Sequence, residues 1–80
     1  MWTKTTLGVS TVKKLTMMKD DYEISFFCDS VNPDIYAVSL YNTACCKSLM
    51  STNLDFEAAC NALQCLGITD VELKQLYKLI

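Results

Sequence analysis

Apolar and polar residues alternate loosely over residues 12–18, and residues 22–28 are rich in aromatic and β-branched types. The two runs are separated by Lys19, Asp20 and Asp21, so they predict a β-hairpin. With Asp20-Asp21 as a two-residue loop, antiparallel pairing sets Met17 opposite Ile24 and Leu15 opposite Phe26 on one face. On the other face Met18 meets Glu23, Thr16 meets Ser25 and Lys14 meets Phe27. A loop one residue longer would set Lys14 opposite Phe26 and Thr16 opposite Ile24, mixing polar side chains into the apolar face, so the pattern favours the shorter turn.

Asn32-Pro33 marks a turn within residues 29–34, because proline fixes its own φ and restricts the residue before it. Residues 35–41 then form a third strand with Tyr36, Val38 and Leu40 on its better apolar face. Asn42-Thr43 turns the chain toward a fourth, weaker strand over residues 44–50. The first dozen residues carry the weakest pattern and are assigned no element.

The period changes after Leu54. Asp55 is suited to an N-cap, and Phe56, Ala59, Cys60, Leu63 and Leu66 form one stripe at helical spacing. Gly67 stands where a left-handed residue ends a helix, with Ile68 placed to fold back on the last turn. Thr69 and Glu72 have the spacing of a capping box and open a second helix, whose Leu73, Leu76, Tyr77 and Ile80 repeat the stripe. Strands first and helices afterwards predict an α+β fold. It comprises a three- to four-stranded antiparallel sheet with two C-terminal helices packed on one face, as one domain over residues 1–80.

If both helices take one face, Met18, Phe27, Ile35, Ala37 and Tyr41 are left on the reverse side. Either the N-terminal segment, through Trp2, Leu7 and Val9, covers them, or another chain does. Local cover is the simpler expectation.

Composition supports a folded domain. Apolar residues make up 51% and charged residues 20%, with only 2 glycines and 1 proline among 80 residues, which excludes a disordered or loop-dominated chain. No apolar run has the length of a signal peptide or a membrane-spanning helix, so a cytoplasmic location is expected, host cytoplasm if a phage encodes the chain. The 5 cysteines are odd in number and two of them, Cys45 and Cys46, are adjacent, which suits reduced thiols better than a disulfide framework. Without a C-x-x-C pair or any histidine, no metal site is expected.

The same absence of histidine removes the commonest general base, and no phosphate-binding glycine loop or nucleophile elbow occurs. The chain is expected not to be an enzyme and to need no cofactor. The only nucleophile to weigh is the Cys45-Cys46 pair before Lys47, and activating a thiol takes a positive or basic environment. All 7 basic residues are lysines in a chain of net charge −2, which argues against direct nucleic-acid binding, since arginine makes the strongest bidentate contacts to phosphate and guanine.

Charge is nonetheless polarised. Residues 1–19 carry Lys4, Lys13, Lys14 and Lys19 and no acid, whereas residues 20–46 carry Asp20, Asp21, Glu23, Asp29 and Asp34 and no base. Tyrosines lie within and beside this acidic stretch. Asp20, Asp21, Tyr22, Glu23, Asp29, Asp34, Tyr36 and Tyr41 are therefore the expected partner-binding residues, the aromatics anchoring and the acids steering toward a basic partner. The competing reading is that Glu23 and Asp34 pair with Lys13, Lys14 or Lys19 across strands and that the tyrosines edge the core.

Together these features predict a small non-catalytic protein-binding domain. Its profile is that of the stoichiometric inhibitors that bacteriophages and mobile elements encode against host defence machinery, and small anti-CRISPR proteins share it at the level of size and composition. Such an inhibitor would occlude a basic, nucleic-acid-handling protein complex. The alternative is an adaptor, antitoxin-like or homodimeric subunit that docks through an apolar sheet face. Neither reading involves a membrane.

Overall fold

The computed structural model describes residues 1–6 and 11–80. Its elements, in chain order, are the strands β1 (Thr3–Thr6), β2 (Val12–Lys19), β3 (Tyr22–Asp29), β4 (Tyr36–Asn42) and β5 (Lys47–Leu54), then the helices α1 (Phe56–Cys65) and α2 (Asp70–Leu79). The strands form one antiparallel meander in sequence order. The fold is the expected antiparallel sheet followed by two helices, with five strands rather than three or four.

The β2–β3 hairpin has the two-residue loop and the register that the apolar alternation requires, with Leu15 opposite Phe26 and Met17 opposite Ile24. Asp20 takes the left-handed conformation at φ 53°, which a short polar side chain tolerates better than most. The added strand, β1, pairs Thr3 with Thr16 and Lys4 with Leu15. Its sequence, Thr-Lys-Thr-Thr, has no apolar alternation to reveal it, because backbone pairing holds it at the sheet edge.

β5 runs later than expected. The turn before it takes residues 43–46, with Asn42 Oδ1 accepting from the Ala44 N–H at 2.9 Å and Cys46 at φ 56°. Between the pairs Val38–Ser51 and Tyr36–Leu54 the strand holds one extra residue, a β-bulge with Asn53 at φ 58°. Without that residue Asn53 would stand opposite Tyr36 and Leu54 would turn to the opposite face; the bulge restores Leu54 to the core side.

Both helices cap as their sequences dictate. Asp55 accepts from the Ala58 N–H at 2.7 Å. The Ile68 and Gly67 N–H groups bond to Leu63 O and Gln64 O, both at 3.0 Å, around Gly67 at φ 98°, which is a Schellman ending. Thr69 and Glu72 form the reciprocal capping box of α2. The helices cover one face of the sheet. Leu15, Met17, Ile24, Phe26 and Val38 from the strands join Ala59, Leu63, Ile68, Leu73 and Leu76 in a single core. Tyr77 and Ile80, expected on the buried stripe of α2, lie at its margin and are 43% and 42% exposed.

Trp2 also belongs to this core, at 5% exposure, and its Nε1 donates to Glu72 O at 2.8 Å. This corrects the expectation that Trp2 would cover the reverse side of the sheet. It stands two residues before Lys4, which is opposite Leu15, and period-two alternation puts it on the helix side. Leu7 and Val9, the other residues expected to cover the reverse side, lie outside the described residues.

Candidate functional site

Among the described residues, the helices cover one face of the sheet and nothing covers the second. Strand register arranges that face in rows. Met18, Glu23, Tyr41 and Ser48 form one, and Thr16, Ser25, Ser39 and Met50 the next. Lys14, Phe27 and Ala37 form a third. Short hydroxyl side chains thus lie between longer ones, making a depression of about 410 Å³ lined by Lys14, Glu23, Ser25, Ser39, Tyr41 and Met50, among others. Ser25 at its floor is only 3% exposed although it lies on the open face, and its Oγ is 3.3 Å from Thr16 Oγ1. On the rim, Lys14 Nζ lies 4.0 Å from Glu23 Oε1 and 5.8 Å from the centre of the Phe27 ring.

Tyr41 completes the rim. A hydrogen bond with the Cys46 side chain raises its phenol above the ordinary value, with desolvation and the nearby Glu23 charge adding to the effect. Cys45, by contrast, lines a groove of about 430 Å³ on the helix side, together with Tyr22, Leu40 and Leu49. The adjacent thiols therefore serve different faces. All five cysteines are free, and among the described residues no cluster of three or more histidine, cysteine or acidic side chains is placed to hold a metal ion.

The acidic and aromatic residues singled out from the sequence divide into two groups. Asp20 and Asp21 are exposed at the hairpin tip, and Tyr22, Glu23 and Tyr41 lie at the same end of the sheet. Asp29, Asp34 and Tyr36 are at the other end, roughly 24 Å away along an eight-residue strand. The first group is itself split between faces, with Tyr22 on the helix side and Glu23 and Tyr41 on the open side.

Two of the residues have internal roles. Asp29 Oδ1 accepts from Thr11 Oγ1 at 2.6 Å and from the Val31 N–H at 2.9 Å, and these bonds, the Thr11 one foremost, hold its carboxyl below the ordinary range. Tyr36 packs between Phe26 and Phe56, tilted against the first at a ring separation of 5.4 Å and edge-on to the second at 5.3 Å. Glu23, opposite Met18, reaches along the open face to within 4.0 Å of Lys14 two rows away.

The chain matches no protein-family model, no curated protein and no solved structure. The site is therefore defined by its own geometry.

Sequence reasoning placed Thr16 opposite Ser25 on the reverse side, with Met18, Phe27, Ile35, Ala37 and Tyr41, but did not single out the hydroxyls as a floor and missed Met50. The floor is encoded in the hairpin register, which pairs Thr16 with Ser25. Met50 follows only once the later start of β5 is known. No described helix is long and apolar enough to cross a membrane.

Proposed function

We propose that the protein is a non-catalytic binding module that docks a protein partner on the open face of its sheet. The observation that carries this reading is the serine-floored depression. Both helices lie on the opposite side, and Met18 and Ile35 remain 57% and 46% exposed on this face or at its border. Such a surface offers a partner side chain a seat over the Thr16, Ser25 and Ser39 hydroxyls, with Met18, Phe27 and Met50 supplying apolar contacts beside it and Lys14 and Glu23 meeting polar groups at the rim.

A second reading rests on the hairpin tip. Asp20 and Asp21 are exposed there, and the adjacent Lys19 is engaged by Glu72 at 2.7 Å rather than by either aspartate. An exposed acidic tip supports an anti-CRISPR-like inhibitor that occludes a basic surface on a nucleic-acid-handling complex.

One experiment separates the two. The unaltered chain, Ser39→Arg and the double variant Asp20→Asn/Asp21→Asn are immobilised and tested against cell extract at low and high salt, and the affinity of each for the retained protein is then measured. Open-face docking predicts a partner whose affinity falls about tenfold or more with Ser39→Arg, the scale of one central interface residue. It also predicts that the partner survives high salt and tolerates the tip substitutions. Loss with the tip variant and in high salt, where exposed charges are screened, replaces that reading with acidic occlusion.

A further inference from the structure

The two edges of the sheet are built differently. β1 has four residues with Lys4 among them, the short and charged form by which natural sheets discourage further pairing. β5 has eight residues with its only charge at the first position, Lys47. No described residue pairs with its outer side. Leu49 is 74% exposed and Met50 59%.

Leu49 also ends a row that is apolar throughout. Across the helix-side face, Met17 stands opposite Ile24, Ile24 opposite Leu40, and Leu40 opposite Leu49. Met17 and Ile24 are 1% and 0% exposed, Leu40 is half-buried, and Leu49 stands in the open beside the groove it forms with Tyr22 and Cys45. The helices close over one end of the row and stop short of the other.

We infer that this edge pairs with a second copy of the chain, β5 against β5 in antiparallel orientation about a two-fold axis normal to the sheet, with Leu49 opposite its counterpart. The strand fixes that register. Its unbroken ladder with β4 runs over residues 47–51, from Lys47 to Ser51, before the bulge interrupts it, and the midpoint of that stretch is Leu49. Self-pairing there joins the two apolar rows into one, places Ser48 opposite the other chain's Met50 on the open face, and sets Lys47 opposite Ser51.

Charge agrees with this orientation. Parallel pairing in register would bring the two Lys47 side chains together. The antiparallel arrangement separates them by at least about 14 Å along the strands, beyond the screening length of roughly 10 Å in 0.1 M salt. The product is a continuous ten-stranded sheet, five from each chain, with all four helices on one side and the two open faces side by side on the other. The dimer stands independently of what those faces bind.

The test is sedimentation equilibrium over a concentration series from micromolar upward, in reducing buffer so that exposed Cys45 and Cys46 form no cross-links. The unaltered chain and an open-face control, Tyr41→Ala, are expected to rise from one-chain to two-chain mass. Leu49→Lys, which puts a charge on an exposed position at the centre of the edge, is expected to keep one-chain mass throughout. In the unaltered chain, amide exchange over residues 47–51 is expected to slow as concentration rises, and this readout decides the matter if Leu49→Lys does not fold. An unaltered chain of one-chain mass with concentration-independent exchange overturns the proposal, as does a dimer that a folded Leu49→Lys leaves intact.

Discussion

The indole of Trp2 ties the first strand to the last helix across 70 positions of sequence, donating to Glu72 O while its ring is buried. Lys19 reaches the same region from the hairpin, its Nζ donating to Gly67 O at 2.7 Å and pairing with Glu72 at 2.7 Å. Two side chains from the sheet therefore hold the junction between the helices. Replacing Trp2 with Phe keeps most of the packing and removes the donor, which is expected to cost about 1 kcal/mol; Trp2→Ala also empties a core position and should cost about 3–5 kcal/mol. Urea unfolding followed by far-ultraviolet circular dichroism checks both, and equal losses for the two variants would mean that the hydrogen bond, not the ring, is what matters. Trp2 is the only tryptophan, so fluorescence of the unaltered chain reports this docking directly. Nothing in the local sequence announces the role, because the alternating neighbours Lys4 and Thr6 are polar and show no face. Its side of the sheet becomes legible only when β1 is known to pair with β2.

At the scale of elements, the signals that proved readable were those settled within a few residues. The β2–β3 register follows from apolar alternation around a two-residue turn, and the helix boundaries follow from Asp55, Gly67 and the Thr69–Glu72 box. The later start of β5 and its bulge were not readable, since they depend on how residues 43–46 close against β4 and on the need to return Leu54 to the core. Gly67 offers a clean test of the helix junction. At φ 98° it occupies a conformation costly to other residues, yet a Cβ there would meet no atom within 4 Å. Gly67→Ala is therefore expected to cost about 1–2 kcal/mol through backbone conformation alone. Thermal and urea unfolding should show that loss with the helix content of the folded state unchanged. A variant as stable as the unaltered chain would show that the junction relaxes to another conformation.

Over the whole molecule, the acidic run from Asp20 to Asp34 reads as one surface in sequence and becomes two ends in three dimensions, because β3 carries the chain the length of the sheet between them. The fold class was legible since an apolar sheet face and two apolar helix stripes have one simple way to bury one another; the candidate site was less so, since it depends on which face the helices leave. The molecule also has two acid-sensitive fastenings, one toward each end of the sheet. Glu72 at the helix junction is held below the ordinary carboxyl range, first by its hydrogen bond with Lys19 and then by the Thr69 N–H. Asp29, at the other end, is lowered by Thr11 and Val31. In both cases the folded state releases its proton more readily than the unfolded chain, so the unfolded state binds more protons in acid and stability falls with pH. The contribution is complete above the ordinary carboxyl range and is lost as pH drops through the lowered folded values. Glu72→Gln and Asp29→Asn should each lower the melting temperature at neutral pH, with the deficit narrowing as the buffer is taken through that acidic window. Because the groups share no partner, the two deficits should add in the double variant. Melting curves over a pH series decide this: parallel curves for variant and unaltered chain, offset equally at every pH, would mean that the carboxylate charges contribute nothing and that only the shape of the side chains had been disturbed.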